Sequence, residues 1–185
     1  PYLAMAWHVP ALRDPANDRE AFALDVLAAV LDGYDGARLT RGLVRDQRIA
    51  VSVGASYDTG NRGPALFYLH GVPAAGTSPE ALAEALRAEL RRIADEGISA
   101  AELARVKTQA IAAQVYKRDS LMGQAMEIGH LESAGLSWRD EDRLLDGLRA
   151  GQATFGTRTL LPTRHVRKWL QLRLHAWLRG RSVEL

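Results

Sequence analysis

The side chains best suited to hold a metal ion are five histidines: His8, His70, His130, His165 and His175. A zinc site needs three or four ligands, two of which usually stand close together in the sequence. None of these histidines forms H-x-x-H, H-x-x-E-H or H-E-x-x-H. His130 and Glu132 are two residues apart, which on a helix turns their side chains about 200° away from each other. His8 and His70 become neighbours if their strands pair, but a third ligand is missing, so the sequence predicts no metal site.

Nucleophilic chemistry has no better support in the sequence. The chain has no cysteine, which excludes disulfides, thiolate nucleophiles and Cys-zinc sites. The segment Gly54-Ala55-Ser56 is not G-x-S-x-G, and it lies at the end of a strand rather than on a strand-to-helix turn. The phosphate-binding motifs G-x-x-x-x-G-K-[ST] and G-x-G-x-x-G do not occur. We therefore assign no catalytic residue to this chain.

Composition and charge describe an ordinary folded domain followed by an unusual tail. The chain has 185 residues, of which 47% are apolar and 25% charged, enough for one domain with a sizeable core. No apolar run approaches the roughly 20 residues of a membrane span. Residues 151–185 hold seven basic residues and one acid, so they supply the excess positive charge. We divide the chain into a domain at 1–150 and a basic tail at 151–185.

Three segments alternate between apolar and polar or small residues, the pattern of half-buried strands: 2–9, 49–57 and 65–72. The second and third are separated by a turn rich in Gly, Asn and Asp, which predicts an antiparallel hairpin. In the second segment we expect one face to be formed by Ile49, Val51, Val53, Ala55 and Tyr57. The opposite face has only small residues, which invites a helix or a ligand to lie close against it.

Helical periodicity and capping residues predict the other elements. The expected bounds are about 18–31, 36–43, 78–97, 99–133 with or without a bend, and a further helix from 137. Asn17 with Glu20, and Ser99 with Glu102, have the spacing of capping boxes. The order β, α, short α, β, β, α, α, α predicts an α+β fold, with one antiparallel sheet and helices packed on one face.

Two phrases in this pattern resemble a known family. Gly36-Ala37-Arg38-Leu39 and the strand 49–58 resemble the G-x-x-S-R-L…R-E-K-x-x-L-A-Y-S-V segment of the insulinase-like (pitrilysin, M16) zinc peptidases. Residues 95–107, DEGISAAELARVK, resemble the GVTEEELERAK helix junction of the same family. The likeness covers about residues 1–149, and it is to the second, non-catalytic half of such enzymes.

The resemblance implies two similar halves that face each other across a closed chamber. The first half holds zinc through H-x-x-E-H, a motif that this sequence lacks. The chain is therefore expected to be an inactive C-terminal half of a zinc metalloendopeptidase, forming the chamber wall opposite a zinc-bearing half. That half would lie upstream on the same chain or on a separate subunit. An extended peptide is the expected substrate, and the chain itself is expected to have no cofactor.

The sequence also departs from the family pattern where substrate contacts are expected. In many members the second half contributes an Arg and a Tyr seven residues apart, which contact substrate near the zinc. An ungapped match from Arg38 places them at Val44 and Val51, so neither is kept. A scaffolding role is therefore expected. The substrate-facing candidates are Arg45, Arg48, Ser52 and Tyr57.

The tail departs further, because the composition changes abruptly after Ala150. We expect residues 151–185 not to be family sequence, as a reading-frame shift would produce. The start at Pro1 is the start expected of a C-terminal half cut from a longer chain.

Two other functions compete with the chamber wall. One is a structural or assembly domain related to core subunits of respiratory complexes. The other is binding of nucleic acid or an anionic surface through the tail, which would weaken steeply with salt. The preferred interpretation includes no nucleic-acid partner and no membrane span. It places the protein in the periplasm or cell envelope, with the cytoplasm as the other option.

Overall fold

The computed structural model describes residues 1–14, 17–58, 60–140 and 183–184. Its strands are β1 (Leu3–Val9), β2 (Ala50–Tyr57), β3 (Ala65–Pro73) and β4 (Val183–Glu184). They form one sheet in the order β2-β3-β1-β4, and every neighbouring pair is antiparallel. The three strands and the hairpin predicted from alternation are confirmed. The predicted helix beyond residue 140 and most of the tail lie outside the described residues.

Four α-helices accompany the sheet: α1 (Arg19–Asp32), α2 (Pro79–Glu96), α3 (Ala100–Lys117) and α4 (Leu121–Ala134). A π-helix (Thr40–Asp46) precedes β2, and a 3-10 turn (Trp138–Asp140) follows α4. The long helix predicted at 99–133 is therefore two helices. Ser120 starts the second, because its hydroxyl accepts a hydrogen bond of 3.1 Å from the backbone N–H of Gly123. No helix in the described part of the chain is long and apolar enough to cross a membrane.

The predicted caps are confirmed in part. Ser99 Oγ accepts from the backbone N–H of Glu102 at 3.2 Å, but the Glu102 carboxylate turns away to Arg38 and does not complete a capping box. The prediction at Asn17 is wrong. Helix α1 begins after Asp18, whose carboxylate accepts from two upstream backbone amides at 2.6 Å each. A local polar contact with the preceding loop has replaced the helix cap.

The helices pack on one face of the sheet, as the α+β prediction requires. The register places Met5 opposite Leu69 and Trp7 opposite Phe67, and all four side chains are buried. Helix α2 covers them with an apolar stripe that is at most 3% exposed, formed by Leu82, Leu86, Leu90 and Ile93. Burial of each such side chain contributes about 1.5–3 kcal/mol, so this layer contributes substantially to the stability of the fold.

A second, smaller cluster ties α4 to the loop after β1 and the first turn of α1. It contains Leu12, Ala21, Leu131, Ala134 and Leu136. The guanidinium of Arg13 donates to the carbonyl oxygens of Arg62 at 2.6 Å and Gly63 at 2.9 Å, and to that of Ala134 at 3.5 Å. The positive charge of Arg13 at the end of α4 also interacts favourably with the negative end of the helix dipole.

Candidate functional site

The face of the sheet opposite the helices has small and polar side chains, and we call it the open face. Its residues are Ala4, Ala6, His8, Ser52, Gly54, Ser56, Leu66, Tyr68, His70 and Val72, of which Leu66 and Val72 are the larger aliphatic exceptions. His8, Ser52, Ser56 and Tyr68 are exposed, with Tyr68 at 38%. The small face predicted for β2 therefore borders on solvent.

A β-bulge at the start of β2 changes which residues face the core. Ala50 pairs with Pro73 and Ser52 with Val72, so Val51 is an extra residue in the ladder. Val51 is 66% exposed, whereas Ala50 is 4% exposed. The prediction that Val51 faces the core with Val53 is wrong, because strict alternation begins only after the bulge.

Arg45, Arg48 and Ser52 all lie near this bulge and are exposed. Arg45 is in the last turn of the π-helix, while its neighbour Val44 packs against the core. Arg45 is exposed, so these two neighbouring side chains lie in different environments. Arg48 has a φ of 55°, a left-handed conformation that terminates the π-helix and leads into β2. π-Helices and bulges both recur at functional sites, and here they adjoin.

Tyr57 lies apart from the other three candidates, at the opposite end of β2. It lies five positions beyond Ser52 along the strand, a distance of about 17 Å. Its hydroxyl donates to the carbonyl oxygen of Pro10 at 2.6 Å, and its ring packs against both apolar clusters. Burial, followed by the charge of Asp25, raises the pKa of Tyr57 to about 12. The phenol stays protonated at neutral pH and joins the two clusters.

Asp32, the last residue of α1, is a site residue that sequence reasoning did not find. Its carboxylate accepts a 3.3 Å hydrogen bond from the backbone N–H of Ala55. Burial raises the pKa of Asp32, while this hydrogen bond and the charge of His70 oppose the rise. The His70 ring lies against Gly54, where any Cβ would overlap it. The close approach predicted at the small face is thus made by side chains of the same chain.

The histidines do not assemble a metal site in the described part of the chain. His8 pairs with Leu66 and His70 with Ala4, so the register does not make the two histidines cross-strand neighbours. His130 lies 3.6 Å from an oxygen of Asp58, a contact between α4 and the hairpin loop. Among the described residues, no group of three or more His, Asp or Glu side chains is placed to hold an ion.

Comparison with known proteins gives the same domain type. The family model described as Peptidase M16 inactive domain matches residues 1–110. Among curated proteins, none matches this chain.

Several solved structures share the fold. A protease from Helicobacter pylori matches with a TM-score of 0.77 at 17% identity over 96% of this chain and 38% of its own. The inactive peptidase domain of a Bordetella parapertussis protein assigned as a zinc protease matches with a TM-score of 0.75 at 19% identity. This match covers 100% of this chain and 90% of the Bordetella chain. A chain of Complex III2 from Candida albicans matches with a TM-score of 0.62 at 17% identity. This match covers 92% of this chain and 39% of the Candida chain. The chain therefore spans less than half of the first and third of these structures.

Proposed function

Because this chain belongs to the peptidase M16 family as an inactive domain, we propose that it forms the non-catalytic wall of a peptidase chamber, opposite a zinc-bearing half. The family match over residues 1–110 carries this proposal. The proposal places zinc in the other half, because the sequence of this chain has no H-x-x-E-H motif. This chain would contribute shape, backbone groups and charge to the chamber.

The start of β2 is the part of the chain best placed to contact an extended peptide. In the described part of the sheet β2 has a partner on one side only, so its outer edge is open to a peptide strand. Arg45 and Arg48 flank this edge and are exposed, and arginine donates readily to peptide carbonyls and carboxylates. At Ala55 the edge is already occupied by Asp32. A peptide would therefore pair near Val51 and Ser52.

Reconstitution tests the chamber wall. The chain is produced alone and together with an H-x-x-E-H-bearing polypeptide encoded in the same genome, and cleavage of a quenched fluorescent peptide is measured. We expect cleavage only from the complex, with zinc bound in the partner, and loss of cleavage with a chelator. The variant Arg45→Ala/Arg48→Ala should raise KM several-fold. Arg62→Ala/Arg139→Ala, which removes two exposed charges elsewhere, is the matched control. Chelator-sensitive cleavage by the isolated chain would refute the proposal.

A second function, an assembly domain without a peptidase role, is favoured by the fold shared with the Complex III2 chain. The two functions differ in the partner that co-purifies. A stable larger complex that contains no H-x-x-E-H polypeptide would favour assembly. A two-component complex with such a polypeptide would favour the chamber wall.

The cell envelope or periplasm remains the proposed location of the parent protein. Cell fractionation with an antibody against this domain tests it. Recovery of the domain with cytoplasmic markers would contradict the proposal.

A further inference from the structure

A cleft between the start of the π-helix and the first turns of α3 has four arginines in its lining. Its volume is about 550 Å³, within the range of ligand-binding pockets. Its walls come from the loop after α1, the start of the π-helix, the end of α2 and the first turns of α3. Its charged lining residues are Arg38, Arg41, Arg92, Arg105, Glu96 and Glu102.

Two of the four arginines are already neutralised by carboxylates. Arg38 donates to Glu102 through two hydrogen bonds of 2.7 Å, and the two side chains are only 13% and 16% exposed. This pair is a fixed part of the cleft. Arg92 donates to the buried Glu89 at 2.6 Å. Neither guanidinium needs a ligand to balance its charge.

Arg41 and Arg105 differ from that pair. Both are exposed, and neither forms an ion pair with another residue in the described ranges. Arg41 projects from the π-helix, whereas Arg105 lies on α3 with its guanidinium carbon 6.0 Å from the centre of the Tyr34 ring. A ring contact of this kind orients a guanidinium without neutralising it. The positive end of the α3 dipole adds to their field. Glu96 opposes it, and the charge of Glu102 acts on Arg41 as well as on Arg38.

We propose that this cleft binds carboxylate side chains of acidic peptides, through Arg41 on one wall and Arg105 on the other. Two guanidinium groups on separate elements suit a ligand with two or more carboxylates, since each guanidinium donates a pair of hydrogen bonds to one carboxylate. The volume accommodates several residues rather than a single ion. That the ligand is a peptide rests on the proposed chamber function. The charge preference rests on the cleft alone.

Direct binding to the purified chain tests this without the zinc-bearing half. The probe is a blocked decapeptide with three alternating glutamates, and its matched control has glutamines in the same positions. Isothermal titration at low salt gives Kd for each peptide. We expect the glutamate peptide to bind at least about tenfold more tightly than the glutamine peptide. Equal binding of the two peptides would overturn the proposal, even if reconstituted cleavage succeeds.

Charge-matched variants locate the site. Arg41→Gln/Arg105→Gln should weaken binding of the glutamate peptide about tenfold, whereas Arg62→Gln/Arg139→Gln should change it less than twofold. Equal losses in both pairs would mean a diffuse electrostatic attraction and would overturn the site.

Inorganic phosphate is the third probe. If phosphate alone binds as tightly as the peptide, the cleft is a site for free anions and the peptide assignment is wrong. Circular dichroism establishes that all variants are folded.

Discussion

The carboxylate of Asp32 accepts the backbone N–H of Ala55 at 3.3 Å, so the end of α1 closes part of the outer edge of β2. An unpaired strand edge is a template for another chain, and natural sheets cover or charge such edges. Here a single aspartate occupies one edge amide, while the bulge end of the same strand stays exposed. This relationship divides β2 into a closed part and an open part.

Removing the carboxylate should open the closed part. In Asp32→Ala the amide of Ala55 should exchange with solvent about tenfold faster, because a hydrogen bond to a charged acceptor is lost. Hydrogen exchange followed by NMR measures this directly. Asp35→Ala, in the exposed loop after α1, removes the same charge and should leave the Ala55 rate unchanged. An unaltered rate in Asp32→Ala would show that the contact does not protect the edge.

The pair Arg38 and Glu102 should be a main source of specific stability between the π-helix region and α3. Because both side chains are largely buried, Arg38→Met or Glu102→Gln should each cost about 2–3 kcal/mol in urea unfolding. The double variant should cost less than the two single losses together. Additive losses would show that the residues act independently.

The stabilisation that Arg38 and Glu102 give each other should depend on pH. The hydrogen bond from Arg38 lowers the pKa of Glu102 below its usual value of 4.5. A carboxylate with a lowered folded-state pKa makes its full contribution to stability above its usual, unfolded-state pKa. The contribution is lost as the pH falls through the lowered, folded-state pKa. The coupling between Arg38 and Glu102 in urea unfolding should therefore be full at pH 7 and vanish in strong acid. A pH-independent coupling would contradict this.

Substitution by glycine should have opposite effects at Arg48 and Arg45. Arg48 has a φ of 55°, which costs a residue with a side chain about 1–2 kcal/mol, so Arg48→Gly should stabilise the fold by about 1 kcal/mol. Arg45 lies within the π-helix, where Arg45→Gly should cost about 1 kcal/mol. Urea midpoints compare the two. Destabilisation by both would mean that the Arg48 side chain makes a contact worth more than the backbone strain.

Lys107 should make stability rise with pH in the alkaline range. It is 4% exposed, and burial lowers the pKa of its ammonium from 10.5 to about 8. Between these values the unfolded chain binds more protons than the folded one, so unfolding becomes less favourable as pH rises. The free energy of unfolding of Lys107→Met should therefore exceed that of the wild type by roughly 1–2 kcal/mol at pH 7, and the difference should close only as the pH rises past the unfolded value of 10.5. Lys117→Met, at an exposed ion pair, is the control.

The elements themselves were readable from the sequence because their causes are local. The apolar stripe of α2 follows from side-chain periodicity within one helix. The start of α2 follows from Ser78, which caps the helix, and from Pro79 at its first position. The hairpin follows from alternation on both sides of a turn. The family-like segments around Arg38 and at residues 95–107 indicated the domain type because they too lie in local elements that follow one another along the chain.

The tertiary structure decided which of these residues meet. The bulge exchanged Ala50 and Val51 between core and solvent, because one extra residue reverses the alternation of a strand. Glu102 matched a local capping pattern, yet its carboxylate binds Arg38, 64 residues earlier. Asp32 gave no signal at all, since its partner is an ordinary backbone amide. Sequence periodicity reports which face a side chain occupies, whereas contacts between distant elements depend on the register and placement that the whole core imposes.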